Sequence, residues 1–165
     1  MIRSIVLAFA CIAMFASNDS VATAQAPSES QAPSESTESG ARELRLAKYL
    51  SGATFTGHFT VDGKEDRALK PESYTIKSCE KLPEPDMYSL KVAIKYGDTD
   101  GEFPMQLKIL WADRTPVITM DSVWIPGLGT FSSRVLIHDG RYAGTWQHDA
   151  KGGHLFGKIT PANKQ

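Results

Sequence analysis

The stretch Gly129–Ile159, GTFSSRVLIHDGRYAGTWQHDAKGGHLFGKI, decides the fold of this chain because it sets a strand register from the residues alone. Asp139-Gly140 is a two-residue turn that accepts positive φ and joins antiparallel strands tightly. With that turn at the tip, His138 lies opposite Arg141. Further out, Ile137 pairs with Tyr142, Val135 with Gly144, Ser133 with Trp146 and Phe131 with His148. These last four pairs share a mostly apolar face, while Ser132, Arg134, Thr145 and Gln147 fall on the other, as a half-buried ribbon requires. A four-residue loop, Asp149 to Gly152, then sets Trp146 against Leu155, Gly144 against Gly157 and Tyr142 against Ile159. Three strands thus agree on one core face.

The same alternation runs upstream. Thr54–Val61 places Phe55, Gly57, Phe59 and Val61 on one side, and Glu72–Leu82 places Tyr74, Ile76, Ser78 and Leu82 inward. Met87–Tyr96 alternates strictly, with Tyr88, Leu90, Val92, Ile94 and Tyr96 on one face. After a turn in Gly97–Gly101, Phe103, Met105, Leu107, Ile109 and Trp111 repeat the pattern. An Asp113-Arg114 turn then pairs Ile109 with Ile118, Leu107 with Met120, Met105 with Ser122 and Phe103 with Trp124. Arg42–Leu50 has helical spacing and ends at Ser51-Gly52. The expectation is all-β: one up-and-down antiparallel barrel of about eight strands with one short N-terminal helix, since closure removes both exposed edges. The alternative is a two-sheet sandwich, because periodicity does not report closure.

The N-terminus reads as an export address. MIRS is followed by an apolar run from Ile5 to Ala16 and an A-x-A site ending at Ala24, so residues 1–24 are expected to be a cleaved signal peptide. The run is too short to span a bilayer, and Cys11 lies inside it, away from a lipidation position. Cleavage leaves Cys79 as the sole thiol, which excludes an intrachain disulfide. Residues 25–40, with the tandem QAPSES repeat, have no large apolar side chain and are expected to be a disordered linker. Residues 41–165 form the barrel domain, of a size that supports a real core. The chain's 18 basic and 19 acidic residues show no basic run, which removes nucleic acid as a partner class.

In strand number, meander order and the helix before the first strand, Arg42–Thr160 resembles the calycin-type barrels, the lipocalin and avidin group. The likeness lies in pattern: the lipocalin Gly-x-Trp position reads Gly52-Ala53-Thr54-Phe55, and an avidin-like Gly-Thr-Trp falls at Gly144–Trp146, on the seventh strand. It implies a fold and carries no functional residue across. The C-terminal half also resembles small secreted bacterial proteins of unassigned activity, which implies an exported location.

Chemistry is sparse. His58, His138 and His154 face outward and His148 inward, so they do not converge on a metal. Asp98–Glu102 echoes a calcium loop but has its glycine too early, and no nucleophile elbow, catalytic triad or inward carboxylate pair stands out. No cofactor or metal is expected, and a hydrolase-type enzyme is only a third reading. The informative set is the inner face. It gathers Tyr74, Tyr96, Phe103, Trp124, Phe131 and His148 at one end, with Trp146 nearby and the small residues Gly57, Ser78, Ser122, Ser133, Gly144 and Gly157 at the waist. The expected function is a secreted, non-catalytic barrel that takes a small, largely apolar ligand through this aromatic mouth, beneath the loop Ile125–Gly129. The alternative is an envelope or extracellular protein-interaction module with a plugged core, using the outward set Leu110, Val117, Val123, Ile125 and Phe156.

Overall fold

The computed structural model describes residues 32–64 and 67–162, without the side chains of residues 32–36 and 96. The expected signal peptide over 1–24, with Cys11, and residues 25–31 of the expected linker lie outside the described residues. Eight strands follow in meander order: β1 (Thr54–Phe59), β2 (Lys70–Lys81), β3 (Met87–Tyr96), β4 (Thr99–Ala112), β5 (Thr115–Ile125), β6 (Gly129–His138), β7 (Arg141–His148) and β8 (Lys151–Thr160). Each pairs antiparallel with the next, and β8 returns to β1, with Gly57 opposite Gly157, to close the barrel. Closure satisfies every strand edge, which a two-sheet sandwich would leave open.

The β6–β7 hairpin has the register that its turn demands, with Asp139 and Gly140 at φ 46° and 65° and Ile137 opposite Tyr142. The next hairpin is tighter than expected. The chain turns over Asp149-Ala150, with Asp149 at φ 52°. Tyr142 therefore faces Gly157, Gly144 faces Leu155 and Trp146 faces Gly153. The pairing has slipped by two residues, which leaves every side chain on its expected face.

Two bulges do change faces. The β2–β3 register shifts between Ile76 and Ser78, so Ser78 joins exposed Lys91 and the buried Cys79 takes the inward place beside Leu90. The β5–β6 register shifts between Met120 and Val123, where Ser122 adopts φ 52°. One extra residue inverts the alternation downstream, so Ile125 is buried while Ser122 is exposed and Trp124 is 66% exposed. The expected inward positions of Ser78, Ser122 and Trp124, and the outward positions of Val123 and Ile125, are corrected by these two insertions.

Helix α1 spans Ala32–Leu50, longer than the expected Arg42–Leu50, and takes in residues 32–40, which were expected to be disordered. Its C-terminal turns are fixed by packing: Leu46, Ala47 and Leu50 are buried in one cluster with Cys79, Tyr88 and Ile109. Extending a nucleated helix toward its N-terminus needs no second nucleus, and Pro33 in the first turn forfeits no hydrogen bond. The Ser51 hydroxyl accepts from the Cys79 amide at 3.0 Å, and the Gly52 amide donates to the Ile76 carbonyl at 2.6 Å, tying the helix end to β2. Arg42 stacks over Trp111 at 4.2 Å, and Glu43 pairs with Lys81 at 3.6 Å. The helix thereby covers the barrel end where the β2–β3 and β4–β5 turns lie.

Candidate functional site

A cavity of about 520 Å³ occupies the barrel interior. Its walls are mainly aliphatic and aromatic, drawn from every strand, including Phe55, Ile76, Val92, Leu107, Met120 and Val135. Tyr88 and Ile109, fully buried together with Leu50 of the last turn of α1, close one end. At the opposite end the lining reaches the exposed Lys70, Asp98 and Lys151 and the partly buried Leu128, so the cavity meets the surface among the β1–β2, β3–β4, β5–β6 and β7–β8 connections. Gly127 and Gly129, at φ 78° and 95°, let the short β5–β6 connection fold back and bring Leu128 to the opening.

The polar centre of the wall is Glu72. It is 3% exposed, yet it lines the cavity. Tyr74 Oη donates to its Oε2 at 2.7 Å and Tyr142 Oη to its Oε1 at 2.9 Å. Burial raises the Glu72 carboxyl above the usual carboxylate range, against the opposing pull of the two phenols and of nearby His58. The Tyr142 phenol is also pushed up, by burial and by the neighbouring carboxylate.

A row of directly paired residues explains how Tyr142 reaches Glu72 from three strands away. Glu72 on β2 faces Gly57 on β1, Gly57 faces Gly157 on β8, and Gly157 faces Tyr142 on β7. A Cβ at Gly57 would stand 2.6 Å from Tyr142 Oη, and one at Gly157 would stand 2.7 Å from Tyr142 Cε1. The tyrosine lies across two glycines. The small waist residues Gly57 and Gly157 therefore make room for Tyr142.

The residues expected to form the site divide into four groups. Tyr74, Phe131, Ser133, Trp146 and His148 all line the cavity. His148 stacks on Phe131, with ring centroids 4.3 Å apart, and Trp146 donates its indole N–H to the Thr60 carbonyl at 3.1 Å while meeting Phe59 edge-on. Phe103 is partly buried against the core without lining the cavity. Ser122 and Trp124 point outward because of the β5 bulge, and the Tyr96 side chain lies outside the described residues. Sequence reasoning missed Glu72 and the role of Tyr142. Glu72 has the parity of Tyr74 and Ile76 on the same strand, and that was the available signal.

Elsewhere the chemistry is quiet. Cys79 is buried and its thiol is pushed up to about 12, chiefly by burial. Among the described residues no group of three His, Cys, Asp or Glu side chains is arranged to hold a metal, and no helix is long and apolar enough to cross a membrane. Fold and site together define a closed eight-stranded antiparallel barrel with an apolar-walled internal cavity and a buried carboxyl in its wall. No protein-family model matches the chain, and no curated protein or solved structure matches it either.

Proposed function

We propose that the protein is an exported, non-catalytic carrier barrel of calycin type that takes a small, largely apolar ligand into the cavity between Phe55, Met120, Phe131 and Trp146. One observation carries this reading: the interior contains about 520 Å³ of space that the core side chains leave unfilled. Cavities of about 300–1,000 Å³ with apolar walls and few polar groups are the usual form of small-molecule sites. The signal-like N-terminus supports export, and the covered lower end supports entry through the mouth beside Leu128.

The test is uptake of pyrene, read by energy transfer from the protein's tryptophans. Saturable uptake at one molecule per chain is expected. Ser133→Leu, which fills part of the cavity, should weaken it by about tenfold, equivalent to ~1.4 kcal/mol. Trp124→Ser, on the outer face, should leave it unchanged. Absence of saturable uptake would overturn the carrier reading.

A second reading, a protein-interaction barrel, rests on the outer face. Leu110, Val117, Leu136, Ala143 and Phe156 stand directly opposite one another in register across β4 to β8. Leu110, Leu136 and Phe156 are 39%, 43% and 42% exposed. A contiguous apolar row on a sheet surface is the kind of patch that partners cover.

A further inference from the structure

We infer that the cavity's ligand is an organic cation: a largely apolar molecule whose ammonium group docks on the Glu72 carboxylate between Tyr74 and Tyr142. The inference rests on the carrier reading and names the ligand class within it. Each Glu72 oxygen accepts one phenol, at 2.7 and 2.9 Å. In its ionised form that carboxylate has about four lone-pair positions, so with two phenols bound it keeps capacity for a further donor. The residue is 3% exposed. Among the described residues no lysine or arginine forms an ion pair with it.

A buried carboxylate without a cation is costly, and a ligand that supplies the cation removes the cost. The surroundings suit that partner. The Phe55 ring lies 5.1 Å from that of Tyr142, and Phe131 and Trp146 line the same cavity. Aromatic faces attract an ammonium most strongly where water is excluded. The cationic groups of the lining, Lys70 and Lys151, are exposed at the mouth, where solvent and salt screen them. The paired glycines at 57 and 157 point the same way, since they let Tyr142 lie flat and hold the carboxylate from the far side.

The experiment compares four probes of one shape on the full chain: pyrene, 1-pyrenemethylamine, 1-pyrenemethanol and 1-pyrenecarboxylate. The ammonium form is expected to bind at least about tenfold more tightly than the alcohol, with the carboxylate weakest. Glu72→Gln should erase that ranking, bringing the ammonium and the alcohol to within about twofold of each other in the same variant. Tyr142→Phe, which keeps the carboxylate, should keep the ranking, so a folding defect in the first variant does not leave the matter open. Uptake of all four without preference, the same ranking in Glu72→Gln, or tightest binding of the carboxylate overturns the inference and leaves the carrier reading in place. Absence of uptake for all four overturns both.

Discussion

Replacing Gly157 with alanine should be among the most damaging single-methyl additions in the barrel. The added Cβ would stand 2.7 Å from both the Gly57 Cα and Tyr142 Cε1 and would also press on the Thr56 carbonyl. Two of these neighbours are backbone atoms of β1, so the methyl forces the strands apart as well as pushing the tyrosine aside. Overpacking of this kind costs about 1–3 kcal/mol. A displaced Tyr142 also releases the 2.9 Å bond to Glu72, and a hydrogen bond to a charged group is worth about 1.5–3 kcal/mol. Together these give a loss of about 3 kcal/mol or more. For a domain of this size, that corresponds to a fall of roughly 10 °C in Tm. Urea unfolding of Gly157→Ala, Tyr142→Phe and the double variant forms the assay. If the glycine exists to seat the phenol, the alanine has already broken the contact, and Tyr142→Phe should cost at least about 1 kcal/mol less in the alanine background. A Gly157→Ala loss below about 0.5 kcal/mol, or a cycle additive within about 0.5 kcal/mol, would refute the seating argument.

Two further outcomes follow from the buried titratable groups. Cys79, buried and with its thiol pushed up to about 12, should resist iodoacetamide at pH 8 in the native protein and react fully in urea; stoichiometric native labelling would contradict its burial. Glu72 has a raised carboxyl pKa in the folded protein, so the folded state holds that proton more tightly than the unfolded chain, where a glutamate titrates near ~4.3. Its contribution to stability is fully present below that value and is lost as pH rises through the folded pKa. The stability of the wild type relative to Glu72→Gln should therefore fall from about pH 4 upward and then level off, and a relative rise with pH would reverse the assigned shift.

The strand pattern was legible because one side of the sheet meets the core and the other meets water, and alternation records that difference directly. The Asp139-Gly140 turn added register, and a slip of two residues at Asp149-Ala150 did no harm because side-chain direction has a period of two. Bulges were not legible. The insertions at Ile76/Ser78 and Met120/Val123 are single-residue events, and Ser122 at φ 52° has no marker of the kind that glycine supplies at a turn. Glu72 was missed for a different reason. Its parity placed it inward, and Tyr74 two residues on was a partner in view, but a charged residue is assumed to face water, and the second partner, Tyr142, is 70 residues away.

The β5 bulge does more than correct a prediction, because it bears on whether the cavity exists. Without the extra residue, Trp124 would turn toward the interior in place of Ile125, at the same end where Phe131, His148 and Leu128 already line the opening. An indole is among the largest side chains and buries about 150–250 Å², so a third aromatic group at that level would fill the entrance. With the bulge, the smaller Ile125 lines the cavity and the indole stands outside, 66% exposed. Leaving so large an apolar group in solvent forfeits its burial energy, about 25 cal/mol for each Å² kept wet. Straightening the strand would exchange Ile125 for Trp124 in the core, so the bulge forgoes the difference between the two side chains' burial. The bulged strand instead retains an open, apolar-walled chamber, which is the arrangement a carrier requires.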